Sequence, residues 1–183
     1  DNTVNRSGAH GLFVRNAMAP VVHNNRLVSN ADTGMTLRAT AHGQVLNNLV
    51  YDNQYDGIAI GTGDLSSPQT AVAFNTLYAN GEWGVLVGSG LSDSRGTVLV
   101  NNIFSGNGRG GISVARTSLL GYVSGYNVNP DGYAETLRPS LYDIDSAPLF
   151  VDPAGFDGIL GGSGMADDDF RLQQQRGGQP VDS

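Results

Sequence analysis

The chain has 183 residues, of which 39% are hydrophobic and 15% charged, and its formal net charge is −7. This charge content is too low for a disordered acidic chain, and no apolar run is long enough to span a membrane. Cysteine is absent, which excludes thiolate metal sites. All ten cationic residues are arginines, and the acidic excess lies in residues 131–183, so no basic face for nucleic acid is visible.

A repeat that begins with asparagine runs through the first two thirds of the chain. Four units have an asparagine, an apolar residue two positions later, a second asparagine five positions from the first, and then glycine before two alternating apolar residues. A weaker copy with Ser7 at the second asparagine position opens the chain, and a degenerate sixth copy follows the four. The units begin at Asn2, Asn25, Asn48, Asn75, Asn102 and Asn127. Repeats of this length are typical of solenoids.

Each unit predicts three short strands. The apolar residues alternate with period two, as in Ile58 and Ile60, and no unit offers the longer 3.6-residue period of a helix. In chain order, the strands of the first two units centre on Val4, Leu12–Val14, Val21–Val22, Leu27, Met35–Leu37 and Val45–Leu46. Strands this short must pair with their counterparts in the next unit, which predicts a parallel β-solenoid rising about 4.8 Å per coil.

Stacked units place equivalent residues in vertical columns. The predicted inward columns are Val4, Leu27, Val50, Leu77, Phe104; Leu12, Met35, Ile58, Val85, Ile112; and Val14, Leu37, Ile60, Val87, Val114. The predicted asparagine columns are Asn25, Asn48, Asn75, Asn102 and Asn30, Asn53, Asn80, Asn107. Stacked amides can hydrogen-bond along such a column, and glycine before the second strand suggests a need for backbone freedom. Residues 61–70 and 88–96 are expected to project as loops.

The repeat resembles the right-handed parallel β-helix superfamily of pectate-lyase-like proteins over about residues 2–128. The resemblance implies an all-β fold, a right-handed parallel β-helix of about five to six coils over residues 1–128. An irregular acidic closing segment would then occupy residues 129–183. The unit pattern is specific for the fold and says little about function.

The acidic segment has two interpretations. It resembles a segment that closes secreted bacterial β-helix proteins, including an imperfect match at 179–182, and would cap the open end of the solenoid. Alternatively, its carboxylates could bind Ca²⁺, which prefers oxygen ligands. The candidate ligands are Asp152, Asp157, Asp167, Asp168 and Asp169.

Several residues of the coils could contact a glycan. Arg15 and Arg38 fall at the same repeat position, and could hold uronate or sulfate groups, or else point into water or pair with aspartate. Tyr51 and Tyr78 are also equivalent, and are expected to form an outward aromatic ladder near Trp83. Such a ladder can stack on sugar rings or simply extend the stacking of the solenoid.

No catalytic residue is assigned from the sequence. Without lysine, a lysine-based lyase mechanism is excluded for these residues. Asp52 and Asp56 fall on one coil, and neighbouring coils carry no acid at the equivalent positions, which argues against paired-carboxylate hydrolysis. His10 is separated from Asp56 by the coil that carries Thr33, so direct contact is not expected.

The sequence therefore predicts a non-catalytic, exported β-helix domain that acts as a rigid scaffold or a glycan-contacting surface. One alternative is a fragment of a polysaccharide lyase or epimerase that acts on acidic glycans, and another is a self-assembling filament protein. Expected partners are a polysaccharide, further copies, or the rest of a longer chain. The expected location is extracellular or on a bacterial cell surface, and Ca²⁺ is the one expected cofactor.

Overall fold

The computed structural model describes residues 1–173, 175–176 and 179–180. Fifteen short strands form three parallel five-stranded sheets. The first sheet contains β1 (Thr3–Asn5), β4 (Arg26–Val28), β7 (Leu49–Tyr51), β10 (Thr76–Tyr78) and β13 (Ile103–Ser105). The second contains β2 (Leu12–Arg15), β5 (Met35–Arg38), β8 (Ile58–Ile60), β11 (Trp83–Val87) and β14 (Gly110–Val114). The third contains β3 (Val21–His23), β6 (Gln44–Leu46), β9 (Ala71–Ala73), β12 (Val98–Val100) and β15 (Val123–Gly125).

Each consecutive set of three strands forms one coil, so the predicted solenoid is confirmed with five complete coils. The strand registers confirm the three predicted inward columns. Val4 pairs with Leu27, Met35 with Ile58, and Val87 with Val114. The side chains of these columns fill one continuous core between the three sheets, where Met35 and Ile58 are completely buried.

Both asparagine columns form hydrogen-bonded ladders, as predicted. Asn53 shows the pattern: its Nδ2 donates to Asn80 Oδ1 over 2.9 Å, and its Oδ1 accepts from Asn30 Nδ2 over 2.8 Å. The same Nδ2 also donates to the backbone oxygens of Leu27 and Tyr51. Each amide therefore satisfies buried backbone groups at the turn while it joins three coils together.

A carboxylate ends each ladder, which the sequence analysis did not anticipate. Every asparagine donates towards the C-terminal side, so the last one in each column needs an acceptor beyond it. Asn107 Nδ2 donates to Asp131 Oδ2 over 2.7 Å, and Asn127 Nδ2 donates to Asp143 Oδ1 over 3.2 Å. Because a carboxylate only accepts, it suits the end of a one-directional series of donors.

The glycine column corrects one expectation. Gly34 and Gly57 directly precede β5 and β8, and Gly84 lies within β11. None of the three has a positive φ, so backbone freedom is not why glycine is needed. The reason is space. A Cβ on Gly34 would lie 2.4 Å from Val50 Cγ1, and one on Gly84 would lie 2.6 Å from Phe104 Cδ1.

The acidic segment divides into two parts, of which only the first acts as the predicted cap. In residues 126–148, the end cap, Tyr133 and Leu137 pack against the core at the last coil. Residues 149–173, the strap, instead return along the outer face of the first sheet. The strap contains an antiparallel pair, β16 (Phe150–Asp152) and β17 (Asp169–Leu172).

Two shorter elements complete the description. A 3-10 turn spans Arg116–Ser118, and a second antiparallel pair joins β18 (Gln175–Arg176) to β19 (Gln179–Pro180). Of the stretch 179–182 that was compared with secreted proteins, the last two residues lie outside the described part of the chain. In that part, no helix is long and apolar enough to cross a membrane.

Replacement of Asn53 tests the ladder. Asn53→Ala removes the Oδ1 that accepts from Asn30 and the Nδ2 that donates to Asn80 and to the backbone oxygen of Leu27, so we expect the free energy of unfolding to fall by about 3 kcal/mol. Chemical denaturation measures this change. Gln54→Ala is the matched control, because Gln54 is the exposed amide next in the chain. Equal effects of the two substitutions would contradict the stabilising role of the ladder.

Candidate functional site

The outer face of the second sheet carries a pair of arginines and, near one end, a cavity lined by acidic side chains. Because alternate residues of a strand face opposite sides, Phe13 and Arg15 of β2 lie outside, beside Thr36 and Arg38 of β5. A cavity of about 340 Å³, here called the acid cleft, opens at the N-terminal ends of these strands. It is lined by His10, Asp32, Thr33, Thr36, Tyr55, Asp56, Ala59 and Thr62.

Asp56 is the buried acid of the cleft. Its Oδ1 accepts a hydrogen bond from the backbone nitrogen of Trp83 over 3.0 Å. Burial raises the pKa of Asp56 to about 6, and the negative charge of nearby Glu82 adds to the effect. Near neutral pH this carboxyl can therefore exchange a proton, which an ordinary exposed aspartate does not do.

His10 stands beside a second carboxylate. Its Nδ1 lies 3.4 Å from Asp32 Oδ1 and 3.4 Å from Thr36 Oγ1. The imidazole also stacks on the Phe13 ring, with centroids 5.2 Å apart and planes 10° from parallel. These contacts orient the ring, and its Nε2 has no hydrogen-bond partner among the described residues.

The sequence analysis missed this grouping because it compared only residues at identical repeat positions. Asp32 and Glu82 each lie one position before the residue equivalent to Asp56, on the coils either side of it. The pKa of Asp56 responds to both charges. The equivalent positions themselves hold Thr33 and Trp83, as the sequence analysis stated, and the acids lie one residue away from them. An alignment that allowed one residue of freedom at the turn would have found them.

Arg15 and Arg38 are register partners on adjacent strands, as predicted. Neither guanidinium forms an ion pair with a described residue, so the alternative in which they pair with aspartate is not seen there. Arg15 is exposed, whereas Arg38 is half-buried and its Nε is shielded from solvent without a hydrogen-bond partner. A role in binding anions stays a prediction.

The expected aromatic ladder is present but covered. Tyr51 is completely buried, so the expectation that it is exposed is wrong. The strap lies over it: the Phe170 ring is 4.7 Å from Tyr51 and 5.3 Å from Tyr78, and Phe150 meets Tyr78 edge-on. The sequence analysis placed both tyrosines outside the coil but did not foresee that the acidic segment would return over them.

Trp83 lies apart from the two tyrosines, half-buried on the second sheet. Its ring packs against Gly110, where an added Cβ would come within 2.7 Å of Trp83 Cζ3. Sugar contact at Trp83 is untested and stays a prediction.

The candidate calcium ligands are engaged in separate contacts. Asp168 is buried and accepts from Tyr51 Oη over 2.6 Å and from Arg26 Nη2 over 3.3 Å. Asp169 binds Arg171, which lowers the pKa of its carboxyl. Asp167 accepts from the backbone nitrogen of Asp157, and Asp152 pairs with Asp169 across the β16–β17 ladder. No three acidic or histidine side chains of the described residues converge as metal ligands. Calcium binding is not tested and stays a prediction.

The raised pKa of Asp56 predicts a pH-dependent stability. The folded-state pKa of about 6 exceeds the ordinary aspartate pKa of 3.8, so this carboxyl stabilises the fold at low pH and loses that effect as pH rises through 6. Asp56→Asn should remove this pH-dependent loss of stability. We expect the free energy of unfolding to rise by at most about 3 kcal/mol at pH 7.5, and to change little near pH 4. Denaturation at both pH values measures it. Asp64→Asn, an exposed carboxyl, is the control, and equal pH dependence in wild type and Asp56→Asn would contradict the prediction.

Comparison with known proteins agrees with this geometry at the level of the fold. The sequence model of a family described as "Right handed beta helix region" matches residues 1–125, which is more than half of the chain and ends with the last strand of the coils. No match was found among curated proteins or among solved structures. With its five stacked coils and this match, the chain belongs to the right-handed β-helix family.

Proposed function

We propose that this domain binds an anionic polysaccharide across the outer face of its second sheet. The observation that carries the proposal is the in-register pair Arg15 and Arg38, neither of which has an acidic partner among the described residues. An exported location, on a bacterial surface or outside the cell, is part of the same proposal, because such polysaccharides occur there.

The arginine pair has a physical reason to take an anion. Strands of a sheet lie about 4.8 Å apart, so two guanidinium groups on neighbouring strands repel each other by about 1 kcal/mol in water. A carboxylate or sulfate bound between them attracts both guanidinium groups and so offsets this repulsion. The planar guanidinium group also offers paired donors that match the two oxygens of such a group.

The acid cleft supplies complementary polar contacts on the same face. The carboxylate of Asp32 can accept from sugar hydroxyls, and Asp56 can donate while it is protonated. The floor between the cleft and the arginines consists of small side chains, Thr36 and Ala59, on strands fixed by the core. A rigid floor with polar groups at both ends reduces the entropic cost of holding an extended polymer.

Removal of the arginine charges tests the proposal. We expect the double variant Arg15→Gln/Arg38→Gln to lose at least tenfold in affinity for alginate, pectate or a sulfated glycosaminoglycan, measured by affinity electrophoresis. Wild-type affinity should fall as salt is added, because the contact is electrostatic. Arg138→Gln, which removes one exposed arginine outside the coils, is the control for loss of a positive charge elsewhere on the surface. Failure of the wild type to bind any of the three polymers would refute the proposal.

A second candidate function, a lyase or epimerase that acts on acidic glycans, is favoured by the contents of the cleft. His10 Nε2 could remove the proton beside a uronate carboxylate, with Asp32 orienting the ring. The acid form of Asp56 could protonate the departing oxygen, while the arginines neutralise the carboxylate.

This chemistry has a direct assay. Elimination would yield an unsaturated uronate, which is followed by its ultraviolet absorbance. His10→Gln and Asp56→Asn should each lower the rate by about 10²-fold or more, whereas Asp64→Asn should not. Binding without any unsaturated product would leave the domain as a non-catalytic binding surface.

A further inference from the structure

A second surface lies on another side of the solenoid, at the turn that precedes each asparagine of the first ladder. The residues there are Asn24, Asn47, Phe74, Asn101 and Tyr126, here called the corner column. All five adopt the left-handed conformation, with φ between 53° and 59°. The backbone nitrogens of Phe74 and Asn101 donate to equivalent carbonyls of the next coil, so their positions stack in register.

Two members of this column break a local rule. Asparagine tolerates a positive φ because its short polar side chain can bond locally, whereas bulky aromatic residues rarely adopt it. Phe74 and Tyr126 nevertheless occupy it with φ of 59°. Their rings are not there to fill the core, since they are 59% and 60% exposed. Residues held in an unfavourable backbone conformation cluster at functional sites.

The exposed rings form a platform along the solenoid axis. The Tyr126 ring stacks on Tyr142 of the end cap, with centroids 4.9 Å apart and planes 11° from parallel, and Tyr142 is itself 63% exposed. Phe74 lies two coils before Tyr126, a separation of about 10 Å. The exposed amide of Asn101 lies on the coil between them.

The strands of the third sheet carry no formal charge when His23 is neutral. The strands of the third sheet, which lead into the corner column, contain no arginine, aspartate or glutamate. This composition contrasts with the charged face of the second sheet. An anionic or cationic ligand would therefore find no counter-ion on these strands.

We propose that the corner column binds a neutral polysaccharide chain, with sugar rings stacked on Phe74 and on the Tyr126–Tyr142 pair. The apolar faces of sugar rings pack on aromatic rings, and an amide such as that of Asn101 can hydrogen-bond to the hydroxyl groups between them. Aromatic groups placed on a line along the solenoid axis suit a linear polymer. The site is separate from the second-sheet surface and does not depend on that proposal.

The test uses the full chain and insoluble or gel-embedded neutral glycans: cellulose, chitin, mannan, xylan and starch. We expect wild type to bind at least one of them, and Phe74→Asn and Tyr126→Asn each to weaken binding at least tenfold. Both variants should keep or raise the melting temperature, because asparagine suits this backbone conformation at the other coils. Phe156→Asn is the control: this ring is 99% exposed but lies in the strap, so binding should not change.

Three results would overturn the proposal. They are no binding across the neutral panel, equal binding by wild type and both column variants, or self-association in sedimentation velocity that the variants abolish without any glycan present. Arg15→Gln/Arg38→Gln should leave neutral-glycan binding intact. If this double variant loses only anionic-glycan binding, the result concerns the proposed site on the second sheet and leaves the proposal for the corner column unaffected.

Discussion

The amide ladders are the constraint on which the rest of the structure depends. A side-chain amide spans the distance between coils only when the asparagines lie directly above one another, so each ladder fixes the register of the strands that follow it. The apolar columns, the close approach at Gly34 and Gly84, and the pairing of Arg15 with Arg38 all follow from that register. Because the ladder amides also bind buried backbone oxygens at the turns, no other residue type fills the same role.

The three faces of the solenoid then differ in what they offer to a ligand. The first is closed by the strap, which uses Arg26 and Tyr51 to hold the buried carboxylate of Asp168. The second has acids at one end and, at the other, two arginines that form no ion pair with a described residue. The third carries no formal charge on its strands and ends at exposed aromatic rings. The proposals for the two open faces therefore differ in ligand class, with an anionic glycan on the second face and a neutral glycan at the corner beside the third.

The coils were predictable because equivalent residues of consecutive units pair with each other. Ile58 pairs with Val85, for example, since both hold the same position in their units. Non-repeating contacts were not predictable. Nothing in the spacing of Asp168 or Phe170 shows that they fold back over Tyr51, and nothing in the repeat shows where Asp131 and Asp143 would end the ladders. At the acid cleft the sequence comparison missed the grouped acids by only one residue. Asp32 lies one residue before Thr33, the position that was compared, and both residues line the cleft.

The strap changes how such a repeat protein must fold. A solenoid held only by contacts between neighbouring coils can fray from either end, one unit at a time. Here Asn5 in the first coil donates to the backbone oxygen of Gly162, across a separation of 157 residues. This tie makes the stability of the first coil depend on a segment that is synthesised 157 residues after it. Docking of the strap therefore secures a coil made long before it, and couples the unfolding of the coils that the strap contacts.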